Sequence, residues 1–270
     1  MASDRFRFTV GGFECLVIND GTSTGATSRM FSNVDDATRS AHDLPDNIAV
    51  GYNVCAVYSD DWVLLDTGIG NASDTHGQVG DILEDEDIRP EHIIMTHAHV
   101  DHYGGLIGDN GEEKFPNVPV YMCQNEWVWF TSSEYADDNP ERAEVIKAQL
   151  LPAERQVERI ECNDMSEILP GFTILSLPGH TPHHIGIMIA SQDERLIIAG
   201  DALLHPLHLE NLDWHFANDT DHERARKSRI KLAEIAIDTD ALVLNYHFPF
   251  PGLGRIERNG DAYRWLPLAE

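Results

Sequence analysis

Residues 93–105 read Ile93-Ile94-Met95-Thr96-His97-Ala98-His99-Val100-Asp101-His102-Tyr103-Gly104-Gly105. The stretch begins as a buried strand and ends in two glycines. Between them, three histidines and an aspartate fall within six positions. In an extended segment His97 and His99 point the same way and Asp101 continues the alternation, while His102 steps off it into a turn. Gly104 and Gly105 allow a tight turn or a close approach to a ligand. Imidazole suits zinc and other first-row metals, and a carboxylate suits a second, harder position. A single histidine says little. The run H-x-H-x-D-H predicts a metal site.

Three later segments have the same character. Leu177-Pro178-Gly179-His180-Thr181-Pro182 sets a histidine just after a strand, Ile198-Ala199-Gly200-Asp201 ends an apolar run on a carboxylate, and Leu244-Asn245-Tyr246-His247 ends another on histidine. Strand ends that deliver ligands to one edge are what a rigid scaffold offers a site. Strands are expected at 13–18, 53–58, 62–65, 93–95, 118–122, 172–177, 185–190, 196–199 and 241–244, with a hairpin turn at Ser59-Asp60-Asp61. Helices are expected at 75–84, at 126–150 with a break near Pro140, and at 222–237 with Thr220 as its N-cap. Strand-rich halves with interspersed helices predict two sheets packed face to face with helices outside, in one domain over 1–270.

The 270 residues are 42% hydrophobic, enough for a packed core. No apolar run reaches the ~18 residues of a membrane helix, and the opening MASDRFRFTV has no signal-peptide core, so a cytoplasmic protein is expected. A net charge of −27 opposes binding to nucleic acid or an anionic membrane. The acids are scattered, which reads as a solvated shell suited to a saline habitat. Cys15, Cys55, Cys123 and Cys162 are widely spaced and read as core or near-core thiols with no metal role.

The order LLDTG, THAHVDH, PGH, GD and a late histidine resembles the metallo-β-lactamase-fold hydrolase superfamily across nearly the whole chain. The resemblance implies an α/β fold, an αββα sandwich of two mixed sheets flanked by helices, with a two-metal site along one edge. It implies His97, His99 and His180 at one ion, Asp101, His102 and His247 at the other, and Asp201 between them. Asp101 and Asp201 are then the candidate catalytic carboxylates, and Asp66 orients the site from beneath. The cofactors implied are two divalent ions, zinc first, with manganese, iron and cobalt open.

A carboxylate at Asp201 is absent from true β-lactamases of this fold; the pattern resembles glyoxalase II, the acyl-homoserine lactonases and methyl parathion hydrolase. The run 247–254 is most similar to the last of these. Two departures matter. The lactonases carry a tyrosine three residues after the bridging aspartate, where this chain has Leu204. The usual P-G-H-T-P-G-H has His183 in place of its second glycine, before His184, which is read as support for the site. His183, His205 and His208 are read as bystanders. Trp127, Trp129, Phe130, Trp214 and Phe216 are candidate pocket residues.

Two divalent ions about 3.5–4 Å apart can lower the pKa of a water held between them towards neutrality, and can stabilise charge developing on the substrate. The expected activity is hydrolysis of a neutral small molecule, a lactone or ester, with a phosphotriester as the alternative and a homodimer as an open state of assembly. A di-iron oxidoreductase of the same fold is the rival from another class. A metal-binding protein without turnover is a third reading, against which the full ligand set speaks.

Overall fold

The structure, a computed structural model, describes residues 4–70 and 75–268. Among these residues the chain forms two seven-stranded sheets. The first runs β1 (Arg5–Val10), β2 (Phe13–Ala26), β3 (Asn47–Tyr58), β4 (Trp62–Leu65), β5 (His92–Ile94), β6 (Val120–Cys123) and β7 (Val157–Ile160), neighbours in that order. The second runs β8 (Glu167–Leu169), β9 (Phe172–Ser176), β10 (Ile185–Ser191), β11 (Glu194–Ile198), β12 (Leu242–Leu244), β13 (Leu253–Asn259) and β14 (Ala262–Pro267). Both sheets are mixed: β4 to β7 are parallel in one, and β11 and β12 in the other, beside antiparallel pairs. The helices are α1 (Thr27–Met30), α2 (Asp36–Ala41), α3 (Val79–Asp85), α4 (Val100–Tyr103), α5 (Gln124–Phe130), α6 (Ser133–Asp138), α7 (Pro140–Gln149), α8 (Leu207–Glu210) and α9 (His222–Asp238). None is long and apolar enough to cross a membrane. The α/β class with two mixed, helix-flanked sheets is the one the sequence predicts.

The chain divides into two compact units. One takes Met1–Gly21 and Tyr52–Asn163, the other Thr22–Gly51 and Asp164–Glu270. In the first, β4 and β5 are parallel with Leu65 opposite Ile94, so both strands end at the same edge. In the second, β11 and β12 are parallel with Ile198 opposite Leu244, and β9 runs the same way because two antiparallel steps separate it from β11. Each unit therefore gathers the residues that follow its apolar strands at one edge. The core of the second unit packs Leu175, Ile197 and Val243 with Leu232, Ala233 and Ala236 of α9. Those helix positions, at i, i+1 and i+4, fall on one side of α9, as one buried helical face requires.

Some expectations are corrected. The helix expected over 126–150 is three helices. Ser132 caps α6 by accepting from Tyr135 N at 3.1 Å, and Pro140 opens α7. The N-cap of α9 is Asp221, which accepts from Arg224 N at 2.9 Å; Thr220 is engaged elsewhere. The cysteines are not all thiols. Cys123 and Cys162 form a disulfide, since parallel pairing of β6 with β7 brings the ends of those strands together. A separation of 39 residues hides that pairing in the sequence. Cys15 and Cys55 are buried and free.

Candidate metal centre

In the first unit the site grows from Asp66, at the end of β4. Its backbone is left-handed (φ 61°), a conformation that aspartate tolerates better than most residues. Its buried carboxylate accepts from Thr96 N at 2.8 Å, Thr96 Oγ1 at 2.9 Å and His102 Nδ1 at 2.8 Å. Having donated to Asp66, the Thr96 hydroxyl accepts from His97 Nδ1 at 3.1 Å. These bonds assign the tautomers of His97 and His102: each carries its proton on Nδ1 and its lone pair on Nε2.

His97 Nε2 lies 3.0 Å from His99 Nδ1. Two nitrogens on one tetrahedral zinc, each at about 2.0–2.1 Å, would lie about 3.3 Å apart. Asp101 and His102 offer a second pair of ligand atoms, with Asp101 Oδ2 3.9 Å from His102 Nε2. The extended alternation expected from His97 through Asp101 stops at His99. Asp101 and His102 lie on the short helix α4, which separates them from the first pair.

Gly104 and Gly105 let two stretches of backbone pass close together. A Cβ on Gly105 would stand 2.0 Å from Thr67 O, and one on Gly104 2.3 Å from Ile69 O. Thr67 in turn donates to His102 O through both N (2.7 Å) and Oγ1 (2.9 Å). Glu126 of α5, fully buried, accepts from Ala98 N at 3.1 Å and so pins the residue between the two histidines. Phe130 sets a ring edge-on to His99 at 5.6 Å. Trp127 is buried beneath the Arg159 guanidinium, 5.0 Å above its ring, and Trp129 is half-buried.

In the second unit the centre is Asp201, in a tight turn after β11. His184 accepts from Asp201 N at 2.9 Å through Nε2 and donates from Nδ1 to Leu177 O at 3.1 Å. His247 donates from Nδ1 to Gly51 O at 2.9 Å, and its Nε2 lies 3.2 Å from the Asp201 carboxylate oxygens. His180 donates from Nδ1 to Asp219 Oδ1, and its Nε2 faces Asp201 Oδ2, both at 3.1 Å. Two imidazole Nε2 atoms thus face one carboxylate. Such atoms repel unless positive charge lies between them. The same demand shows in the His180 imidazole: burial pulls its pKa down, but Asp201 and Asp219 push it up to about 9. Imidazole nitrogens and carboxylate oxygens at these spacings fit divalent transition ions.

The remaining candidates lie around this centre. Phe216 stacks on His180 at 5.8 Å. Trp214 and Phe216 pack on an apolar cluster of Met30, Phe31, Val34, Ile48 and Leu204. His205 and His208 set their rings edge-on to Phe31, and burial holds the pKa of His205 down at about 4. His183 is half-buried, and burial lowers its pKa too. Sequence reasoning missed Thr96, Glu126 and Asp219. Thr96 adjoins the motif and could have been weighed with it. Asp219 lies 39 residues from His180 with no spacing signal.

Residues 50–247 match the family profile described as the metallo-beta-lactamase superfamily. The chain is 27% identical over 214 residues to a probable metallo-hydrolase of Bacillus subtilis strain 168, YflN, covering 71% of this chain and 77% of that one. It is 29% identical to an N-acyl homoserine lactonase of a Bacillus species, over 67% of this chain and 70% of that one. Among solved structures, AidC, a dizinc quorum-quenching lactonase in complex with a product, superposes with a TM-score of 0.87 at 24% identity, over 99% of both chains. A hydrolase of the beta-lactamase superfamily, AbOPH, does so with a TM-score of 0.88 at 21% identity, over 100% of this chain and 99% of that one. The chain belongs to the metallo-beta-lactamase superfamily and is a metal-dependent hydrolase.

Proposed function

We propose that the chain is a single catalytic domain with a dinuclear metal centre, hydrolysing a neutral lactone or ester. His97, His99 and His180 would hold one ion, Asp101, His102 and His247 the other, with Asp201 shared. Zinc is the ion we favour, on the chemistry of the donor set. The observation that carries this reading is the preset tautomers. His97, His102, His180 and His247 each spend Nδ1 on a protein acceptor and keep Nε2 for a ligand role.

When bound, two such ions supply Lewis acidity and a water of lowered pKa. The chain's own residues do the rest. A water adds to the acyl carbon and gives one proton to Asp201. The acyl C–O bond breaks, and Asp201 passes that proton to the leaving oxygen, giving an alcohol and a carboxylic acid that releases its own proton to solvent. Phe216, stacked on His180 and packed on the cluster around Leu204, offers an apolar wall for an acyl or aryl group. Leu204 brings no phenol to polarise a lactone carbonyl, so that task would fall to the ions.

Neutral substrates are favoured because a chain at −27 stays strongly anionic even with about four positive charges bound. The test is a panel of lactones, aryl esters, thioesters and phosphotriesters, with carboxylate-bearing analogues, run from low to high salt. Neutral lactones or esters should give the higher kcat/KM with little salt dependence. A preference for the anionic members that fades with salt would overturn the neutral-substrate reading. Turnover of phosphotriesters alone would overturn the lactone or ester assignment.

A further inference from the structure

His180 sits on the turn Pro178–Pro182, and that turn is held by a segment from a distant part of the chain. Thr220 donates from N to His180 O at 3.1 Å and from Oγ1 to Gly179 O at 2.9 Å. Asp221 N donates to Gly179 O at 3.0 Å, and Ser228 Oγ donates to Pro178 O at 2.6 Å. Gly179 has φ 137°, and a Cβ there would stand 2.1 Å from Ala225 N, so the turn lies flat against the start of α9. Phe216 covers one face of the His180 ring. Between Phe216 and Thr220, Asp219 reaches Nδ1 with a carboxylate whose side chain is only 3% exposed.

We propose that Asp219 is a positioning residue of the metal centre, holding His180 by Nδ1–H so that Nε2 faces the ion site before an ion arrives. The proposal rests on the dinuclear reading above. The other histidines show what is special about this one. His97 is held by a hydroxyl and His247 by a backbone carbonyl, whereas His102 is held by the Asp66 carboxylate. Asp219 does for His180 in one unit what Asp66 does for His102 in the other. A carboxylate partner locks the tautomer and makes the opposite nitrogen a better donor to a cation. Removing it leaves the ring stacked on Phe216 but free to slide or flip. Asp219 also contributes favourable charge to the buried guanidinium of Arg229, so its loss touches packing as well. The test must separate the two effects.

The experiment compares the parent, Asp219→Ala and Asp219→Asn. Asparagine keeps the Oδ1 acceptor and the size but not the charge. Zinc affinity is read by competition with a chromophoric chelator, the proton on His180 Nδ1 by its downfield NMR resonance in the zinc-loaded protein, and the fold by thermal melting after chelation. We expect Asp219→Ala to weaken one of the two ions by about 10–100-fold and to lose the resonance. Asp219→Asn should keep the resonance and stay within about tenfold of the parent. Affinities of Asp219→Ala within about threefold of the parent for every ion would overturn the proposal, as would loss of metal and fold together in both variants. A parent that binds a single ion overturns the dinuclear reading instead, and the response of that ion to Asp219→Ala then decides Asp219. A parent that binds none overturns both.

Discussion

Asp66 and His102 form a closed pair, Oδ2 to Nδ1 at 2.8 Å, with both side chains essentially out of solvent. The carboxylate that holds this histidine also holds the backbone and hydroxyl of Thr96, and through that hydroxyl His97. One aspartate therefore orients two candidate ligands. Replacing Asp66 by Asn keeps the left-handed backbone and the bond from Thr96 N, but sets an amide against two donors. Zinc affinity should fall about 10–100-fold. Asp66→Ala should add about 1–3 kcal/mol of backbone strain and lower the melting temperature of the metal-free protein further. Chelator competition checks the first effect; an Asp66→Asn protein with parental affinity would break the link.

Elemental analysis of protein purified without chelator should find close to two transition-metal ions per chain, because the donor set exceeds what one tetrahedral ion takes. A content that stays at one after zinc or manganese supplementation would count against a dinuclear centre. Iron with a visible charge-transfer band would bring the oxidoreductase reading forward.

Asp201 and His183 should separate sharply. Asp201 faces His180 and His247 and is itself held by His184, so Asp201→Ala should lower kcat/KM by at least about 100-fold, roughly 2.7 kcal/mol in the barrier. His183→Gly should stay within about threefold of the parent, a difference of under about 0.7 kcal/mol. Steady-state assays at matched metal content decide, and an inactive His183→Gly would reverse the assignment.

Two glycines make a stability test free of the metal. Gly105→Ala sets a methyl 2.0 Å from Thr67 O, a rigid backbone atom, and should cost about 3 kcal/mol. Gly80→Ala, within α3 and with open space around its Cβ, should gain about 0.5–1 kcal/mol. Urea titrations of both variants measure the contrast.

Acid should unfold the protein partly through His205. Burial lowers its pKa from 6.5 to about 4, so the folded state refuses a proton that the unfolded state accepts. Its contribution is present above pH 6.5 and is lost as pH falls from there to about 4. Asp20 acts in the opposite sense: burial raises it to about 6, and its contribution is lost as pH rises from 3.8. Only a difference measurement isolates the histidine. The melting temperature of the chelated parent should drop more steeply between pH 6.5 and 4 than that of His205→Gln. Equal slopes would rule His205 out.

The residue types of the candidate centre were legible in the chain itself, because imidazole and carboxylate in H-x-H-x-D-H have few other uses, and apolar runs ending on Asp201 and His247 mark strand ends. The α/β class followed from the same runs. Tertiary structure decided what holds those ligands. Asp219 reaches His180 across 39 positions, and Cys123 reaches Cys162 across the same number, because α9 and the parallel pairing of β6 with β7 bring distant segments together. Side-chain periodicity reports which face of a strand is buried, and not which strand lies beside it. The partners of Nδ1 in the four histidines, a hydroxyl, a carbonyl and two carboxylates, are set by those neighbours, and they determine which nitrogen is left to meet a cation.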